Sequence, residues 1–117
     1  MQPAWQFYAN GPRIHEFLRE MNRVVLGNYD AVTIGELPHT PDPNKVLEYV
    51  KLGDKQLSMV FQFDIVDIGQ GITSKYQFQA WELTMLKGIV SKWQKFIEGT
   101  DGWTTAFCEN HGNTLAR

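Results

Sequence analysis

Apolar residues recur at Ile14, Phe17, Leu18, Met21, Val24 and Val25, three and four positions apart, with polar residues between them. That period predicts an amphipathic helix opening near Pro12 and closing at Gly27-Asn28. Ala31-Val32-Thr33-Ile34 is too short for a helix, rich in β-branched residues and stopped by Gly35 and Pro38, so it reads as a buried strand. Asp42-Pro43 supplies an N-cap and a first helical residue for a short helix through Leu52, with Val46, Leu47 and Val50 on one face and Gly53 as terminator. Leu57 to Phe63 reads as a second strand and Asp64 to Gly71 as a loop. A longer helix is predicted from Gln79 to Glu98, with Trp81, Met85, Leu86, Ile89, Val90, Trp93, Phe96 and Ile97 in the helical pattern. Gly88 weakens it by about 1 kcal/mol relative to alanine. Gly99 and Gly102 end it, and Trp103 to Cys108 reads as a third strand.

Helices alternating with strands argue for an α/β fold with a parallel sheet and right-handed crossovers, which places every strand's carboxyl end on one side. The residues following the strands are then Glu36, then Asp64 and Asp67, then Glu109, Asn110 and His111. Acids and an imidazole converging on one face suit acid–base chemistry. Three parallel strands leave two open edges, however, and three helices cannot cover both faces of strands as apolar as Leu57 to Phe63. The first helix also has no strand before it to cross from. The expectation is a middle portion of something larger, since a closed eight-stranded barrel needs about 250 residues.

Composition changes this picture mainly by exclusion. With 117 residues, 43% hydrophobic and 21% charged, the chain is neither disordered nor fibrous, and without repeat or linker it is treated as one segment, 1–117. A net charge of −2 and the lack of a basic run argue against nucleic acid as a partner. No apolar run approaches the ~20 residues of a membrane helix, and no signal pattern opens the chain, so a cytoplasmic location is expected. The single cysteine, Cys108, reads as a small buried hydrophobe. No ligand cluster suggests a metal, and no cofactor is expected. An aromatic content of 13% points to a rich core or to sugar-facing surfaces.

Five stretches then carry a resemblance: NGPRIHEFLREMNRVVLGN at 10–28, AVTIGELP at 31–38, MVFQFD at 59–64, KGIVSKWQKFIEG at 87–99 and FCENH at 107–111. Together, in order and over nearly the whole chain, they resemble the α-glucosidase (maltase, oligo-1,6-glucosidase) branch of the α-amylase superfamily, most closely its fungal maltases. The resemblance implies a partial (β/α)8 TIM barrel, from the helix after strand four to the end of strand seven. It also implies that Glu36 is the general acid/base, which protonates the glycosidic oxygen and then activates water. His111 matches the histidine that hydrogen-bonds the sugar in the −1 subsite, and Phe63, with Asp64, is a candidate for the outer sugar subsites. Where the family has E-N-H-D, with an aspartate that holds the sugar hydroxyls, this chain has Gly112 in fourth place. The family's nucleophilic aspartate lies upstream of the matched segment.

Other residues read more plainly. Phe63 also fits a core residue at the end of a strand, and Asp67 fits a turn. His15 falls on the polar side of the first helix and is expected to be solvated. His39, between two prolines, matches no catalytic pattern, and Glu109 is assigned to orienting its loop. Trp81 and Trp93 belong to the core-facing stripe of the last helix. The expected function is retaining hydrolysis of terminal α-linked glucose from maltose-, isomaltose- or sucrose-like oligosaccharides, the chain being a partial catalytic domain inactive alone. The alternative is a truncated, non-catalytic sugar-binding or interaction module that self-associates through open sheet edges.

Overall fold

The computed structural model describes residues 4–71, 74 and 76–109, leaving aside the side chains of Trp5 and Gln6. After a single turn of 3-10 helix at Ala4–Phe7, the order is α1 (Ile14–Val24), β1 (Ile34–Glu36), α2 (Pro43–Val50), β2 (Met59–Phe61) and α3 (Leu83–Phe96). Helix, strand, helix, strand and helix therefore follow the order that the hydrophobic pattern predicts. Pro43 opens α2, and the Asp42 carboxylate accepts from the Asn44 amide at 2.9 Å, satisfying one of the helix's unpaired donors.

β1 and β2 pair in parallel, Ile34 opposite Met59 and Glu36 opposite Phe61. The strand expected at 31–34 thus starts three residues later and ends two later, and Glu36 lies within the strand rather than in the loop beyond it. The cause is local. The Thr33 amide donates to Ser58 Oγ at 3.1 Å and the Ser58 amide to Thr33 Oγ1 at 2.9 Å, so hydroxyls take backbone groups that a longer ladder would use. Gly35 lies close against Leu57: a β-carbon there would stand 2.8 Å from Leu57 Cδ1, so a larger residue would require the leucine side chain to shift.

The third expected strand is absent among the described residues as a ladder, although its segment lies where a third strand would. Thr105 Oγ1 donates to the Val60 carbonyl at 2.8 Å, and Gln62 Nε2 donates to Thr104 Oγ1. Phe107 meets Phe61 and Phe63 edge-on. Threonine hydroxyls and aromatic edges therefore hold 104–107 along the free edge of β2 without backbone pairing. The last helix also begins later than predicted, at Leu83, so Trp81 precedes it instead of joining its stripe.

The core is small: Val46, Tyr49 and Val50 of α2, Val60 of β2 and Trp93 of α3, flanked by Ile14, Leu18, Leu37, Leu47, Leu57, Ile89 and Phe96. It lies where α2 and α3 meet the sheet. Much of the α1 stripe remains exposed, with Phe17, Met21, Val24 and Val25 all in water, and so do Met85 and Val90 of α3. No helix among the described residues is long and apolar enough to cross a membrane.

Candidate functional site

Two hydrogen bonds fix which way the strand backbones face. The Met59 amide donates to the Thr33 carbonyl and the Leu37 amide to the Phe61 carbonyl, so residues 33, 35 and 37 turn towards β2. Ile34 and Glu36 therefore present their peptide groups to the opposite, open edge. Along that edge, between α1 and β1, runs a groove of about 520 Å³. Its floor and walls are apolar, from Ile14, Leu18, Met21, Ile34, Leu57 and Val60. Its polar residues are few: Glu36, His39, Asn10 and the tyrosines Tyr8 and Tyr49. Glu36, at the last pair of the ladder, is exposed at this groove.

The segment after Glu36 is tightly tied. Tyr49, buried in α2, donates its hydroxyl to Asn10 Oδ1 at 2.8 Å, and Asn10 Nδ2 donates to the buried Thr40 Oγ1 at 2.9 Å. Burial, and then the charge of Glu48, raises the Tyr49 phenol above its ordinary range, so it remains a donor. Neighbouring His15 packs against Tyr49 with its ring tilted by 54° and ring centroids 4.5 Å apart. Its Nδ1 lies 2.8 Å from Gln56 Oε1 and its Nε2 lies 3.3 Å from Glu48 Oε2. Gln56, almost wholly buried, donates Nε2 to the Glu48 carbonyl, which leaves Oε1 to accept from His15 Nδ1. His15 is thus a structural link between α1 and α2, and the expectation that it is solvated is corrected.

The second acidic group sits at the carboxyl end of β2. Asp64 Oδ2 accepts from Lys92 Nζ and, at 3.1 Å, from Trp93 Nε1, so it faces α3. Asp67 follows in the loop and accepts from Gln70 Nε2 at 2.7 Å. Partial burial of its carboxyl raises its pKa; His39 opposes the rise, the Asp64 charge adds to it, and the Gln70 hydrogen bond opposes it. Phe63 does not line the groove; it is half-buried against Phe107, as a core residue would be. Trp93 is buried as expected, whereas Cys108 is exposed and not the buried hydrophobe predicted. Glu109 is exposed. Asn110, His111 and Gly112 lie outside the described residues, so the structure brings Glu36 together with His39 but tests no meeting with His111. No three His, Cys, Asp or Glu among the described residues are grouped to hold a metal ion.

Asn10, His15, Gln56 and Lys92 were not legible as organising residues. Each has a partner between 28 and 51 positions away, and none stands in a local motif.

Parallel strands joined by crossover helices, with a carboxylate at a strand's carboxyl end, define a portion of an α/β enzyme-type fold. Comparison with known proteins gives the family. Residues 2–115 match the alpha-amylase catalytic domain, and the chain belongs to that family. It is 43% identical over 114 residues to an alpha-glucosidase of Schizosaccharomyces pombe, covering 97% of this chain and 20% of that protein. It is equally 43% identical over 111 residues to an oligo-1,6-glucosidase of Parageobacillus thermoglucosidasius, covering 95% and 19%. The structure superposes on the Bacillus licheniformis trehalose-6-phosphate hydrolase with a TM-score of 0.81 at 34% identity, over 92% of this chain and 19% of that one. The chain spans about a fifth of the length of the curated relatives it matches.

Proposed function

We propose that this chain is part of the (β/α)8 catalytic domain of a retaining α-glucosidase, running from the helix after strand four to the end of strand seven, with Glu36 as its general acid/base. The observation that carries this reading is the place of Glu36: the last residue of β1's ladder, beside a groove with apolar walls, in a chain of the alpha-amylase family. An acid/base of this kind must give its proton to the glycosidic oxygen and then take one from water. A second carboxylate about 5–5.5 Å away must act as nucleophile. Neither Asp64, turned to Lys92 and Trp93, nor Asp67 is offered for that role, so the isolated chain is expected to be inactive. The substrate class is an oligosaccharide with terminal α-linked glucose, His111 being the proposed sugar contact. Phe63 is a weaker candidate, since its ring packs on Phe107.

The reading is tested by grafting the chain into the Schizosaccharomyces pombe relative in place of its 114 matched residues and assaying hydrolysis of maltose, isomaltose and sucrose. The graft is expected to be inactive because Gly112 stands where the family aspartate belongs, and Gly112→Asp is expected to restore turnover. Adding Glu36→Gln should then remove at least about 100-fold of it, the scale of a lost acid/base. Activity that survives Glu36→Gln would overturn the assignment.

A second reading, a non-catalytic interaction module, is favoured by Gly112 and by the open edge of β1. It predicts a dimer whose mass by sedimentation depends on concentration, without hydrolysis by the Gly112→Asp graft.

A further inference from the structure

Lys92 on α3 makes a connection that the acid/base reading does not use. Its ammonium donates to the Pro41 carbonyl at 3.1 Å and to Asp64 Oδ2, and it lies 4.4 Å from the centre of the Trp93 ring. Pro41 comes five residues after Glu36, just before the Asp42 cap of α2, and Asp64 follows β2. One cation therefore grips both chain segments that leave the carboxyl ends of the paired strands. An ammonium has three donors on a flexible stem, which suits a carbonyl and a carboxylate approaching from different elements.

The same segment is gripped from the other side. The Tyr49–Asn10–Thr40 chain of hydrogen bonds continues from Thr40 Oγ1 to the Pro38 carbonyl at 3.3 Å. Between the two grips His39 has φ +56°, in the left-handed region that a residue with a β-carbon enters at a cost. Such a conformation persists only where the surroundings fix it. The segment after Glu36 is thus held at Pro38, Thr40 and Pro41, with its one strained residue facing the groove.

We propose that Lys92 is a positioning residue for Glu36: by tying Pro41 to Asp64 it fixes the 37–41 segment against the end of β2 and keeps the Glu36 carboxylate at the groove. The grip stands on geometry; its catalytic consequence rests on the acid/base reading above. Asp64 is then the counter-charge of this tie.

Amide hydrogen exchange on the 117-residue chain tests the grip. In Lys92→Met, exchange at Leu37, whose amide donates to the Phe61 carbonyl, is expected to quicken about tenfold, the scale of one charge-assisted hydrogen bond, while Val50 in α2 holds its rate. Lys92→Arg, which can reach both oxygens with its fork, should restore protection. An unchanged rate at Leu37 would overturn the proposal, and so would a uniform rise that includes Val50. If Lys92→Met does not fold, Asp64→Asn is read instead: Lys92 and Trp93 both donate to Oδ2, so an amide oxygen there keeps both bonds without the charge, and a smaller quickening at the same amide is expected, its absence overturning the proposal.

The catalytic consequence is read in the Gly112→Asp graft. There Lys92→Met should lower kcat about tenfold with KM held within about twofold, and Lys92→Arg should recover it, as for a misplaced catalytic group. A rise in KM with kcat unchanged would overturn it. Should the graft's activity survive Glu36→Gln, the acid/base reading fails while the exchange rates still decide the grip of Lys92.

Discussion

Asp67 shows how a residue's place rather than its type sets its chemistry. In sequence it is a turn aspartate; in the fold, partial burial of its carboxyl is the largest effect on it, the proton is favoured, and its pKa stands above the ordinary value. A carboxyl raised on folding contributes stability that is complete below its unfolded pKa and lost as pH rises through its folded pKa. At neutral pH its ionised form therefore opposes the fold. Asp67→Asn, which keeps an oxygen for Gln70, is expected to raise the melting temperature at pH 7, with the gain shrinking as pH falls below the ordinary carboxylate range. Thermal unfolding across that range would show it, and a gain that does not change with pH would refute it. His15 makes the same point. The helical wheel puts it on the polar face, yet a polar face can still be covered when the covering atoms are polar too, as Gln56 and Glu48 are.

At the scale of elements, the helices were legible and the strands only partly so. α1 and α2 carry their own signals: the apolar period, Pro43 at the first turn and Asp42 as cap. Because the Asp42 cap is local and exposed, Asp42→Ala should cost about 1 kcal/mol, measurable by denaturant unfolding. The strand positions were marked by β-branched and apolar runs, but their limits depended on partners. Thr33 and Ser58 shorten the ladder with their hydroxyls, and Thr105 takes the Val60 carbonyl that a third strand would have used. Such choices are made between residues 25 to 45 positions apart, beyond any local pattern. Glu36 was legible because it ends a strand within a motif. Lys92 was not, since nothing about a lysine on a helix tells which carbonyl it will reach.

For the whole molecule, the telling quantity is surface. The chain exposes 8613 Å², whereas a folded monomer of 13.5 kDa exposes about 6,500 Å². Its radius of gyration is 15.6 Å, against about 13 Å for a compact domain of this length. The excess agrees with apolar side chains left in water on α1 and α3 and with the open groove beside β1. Exposed apolar surface of this kind binds hydrophobic dyes and promotes association. Sedimentation of the isolated chain is therefore expected to give a mass that rises with concentration, and dilution or a structured partner along the β1 edge should reverse it. A concentration-independent monomer would refute the expectation. The sequence by itself determined the helices, the parallel order of helix and strand, the family and the candidacy of Glu36, because periodicity, capping and motif are written in neighbouring residues. The tertiary structure alone decided where the strands stop, that Asp64 faces Lys92 and Trp93 instead of the groove, and that His15 and Tyr49 anchor the segment behind Glu36. Those outcomes depend on which distant donors and acceptors meet, and burial leaves each of them little choice but to pair.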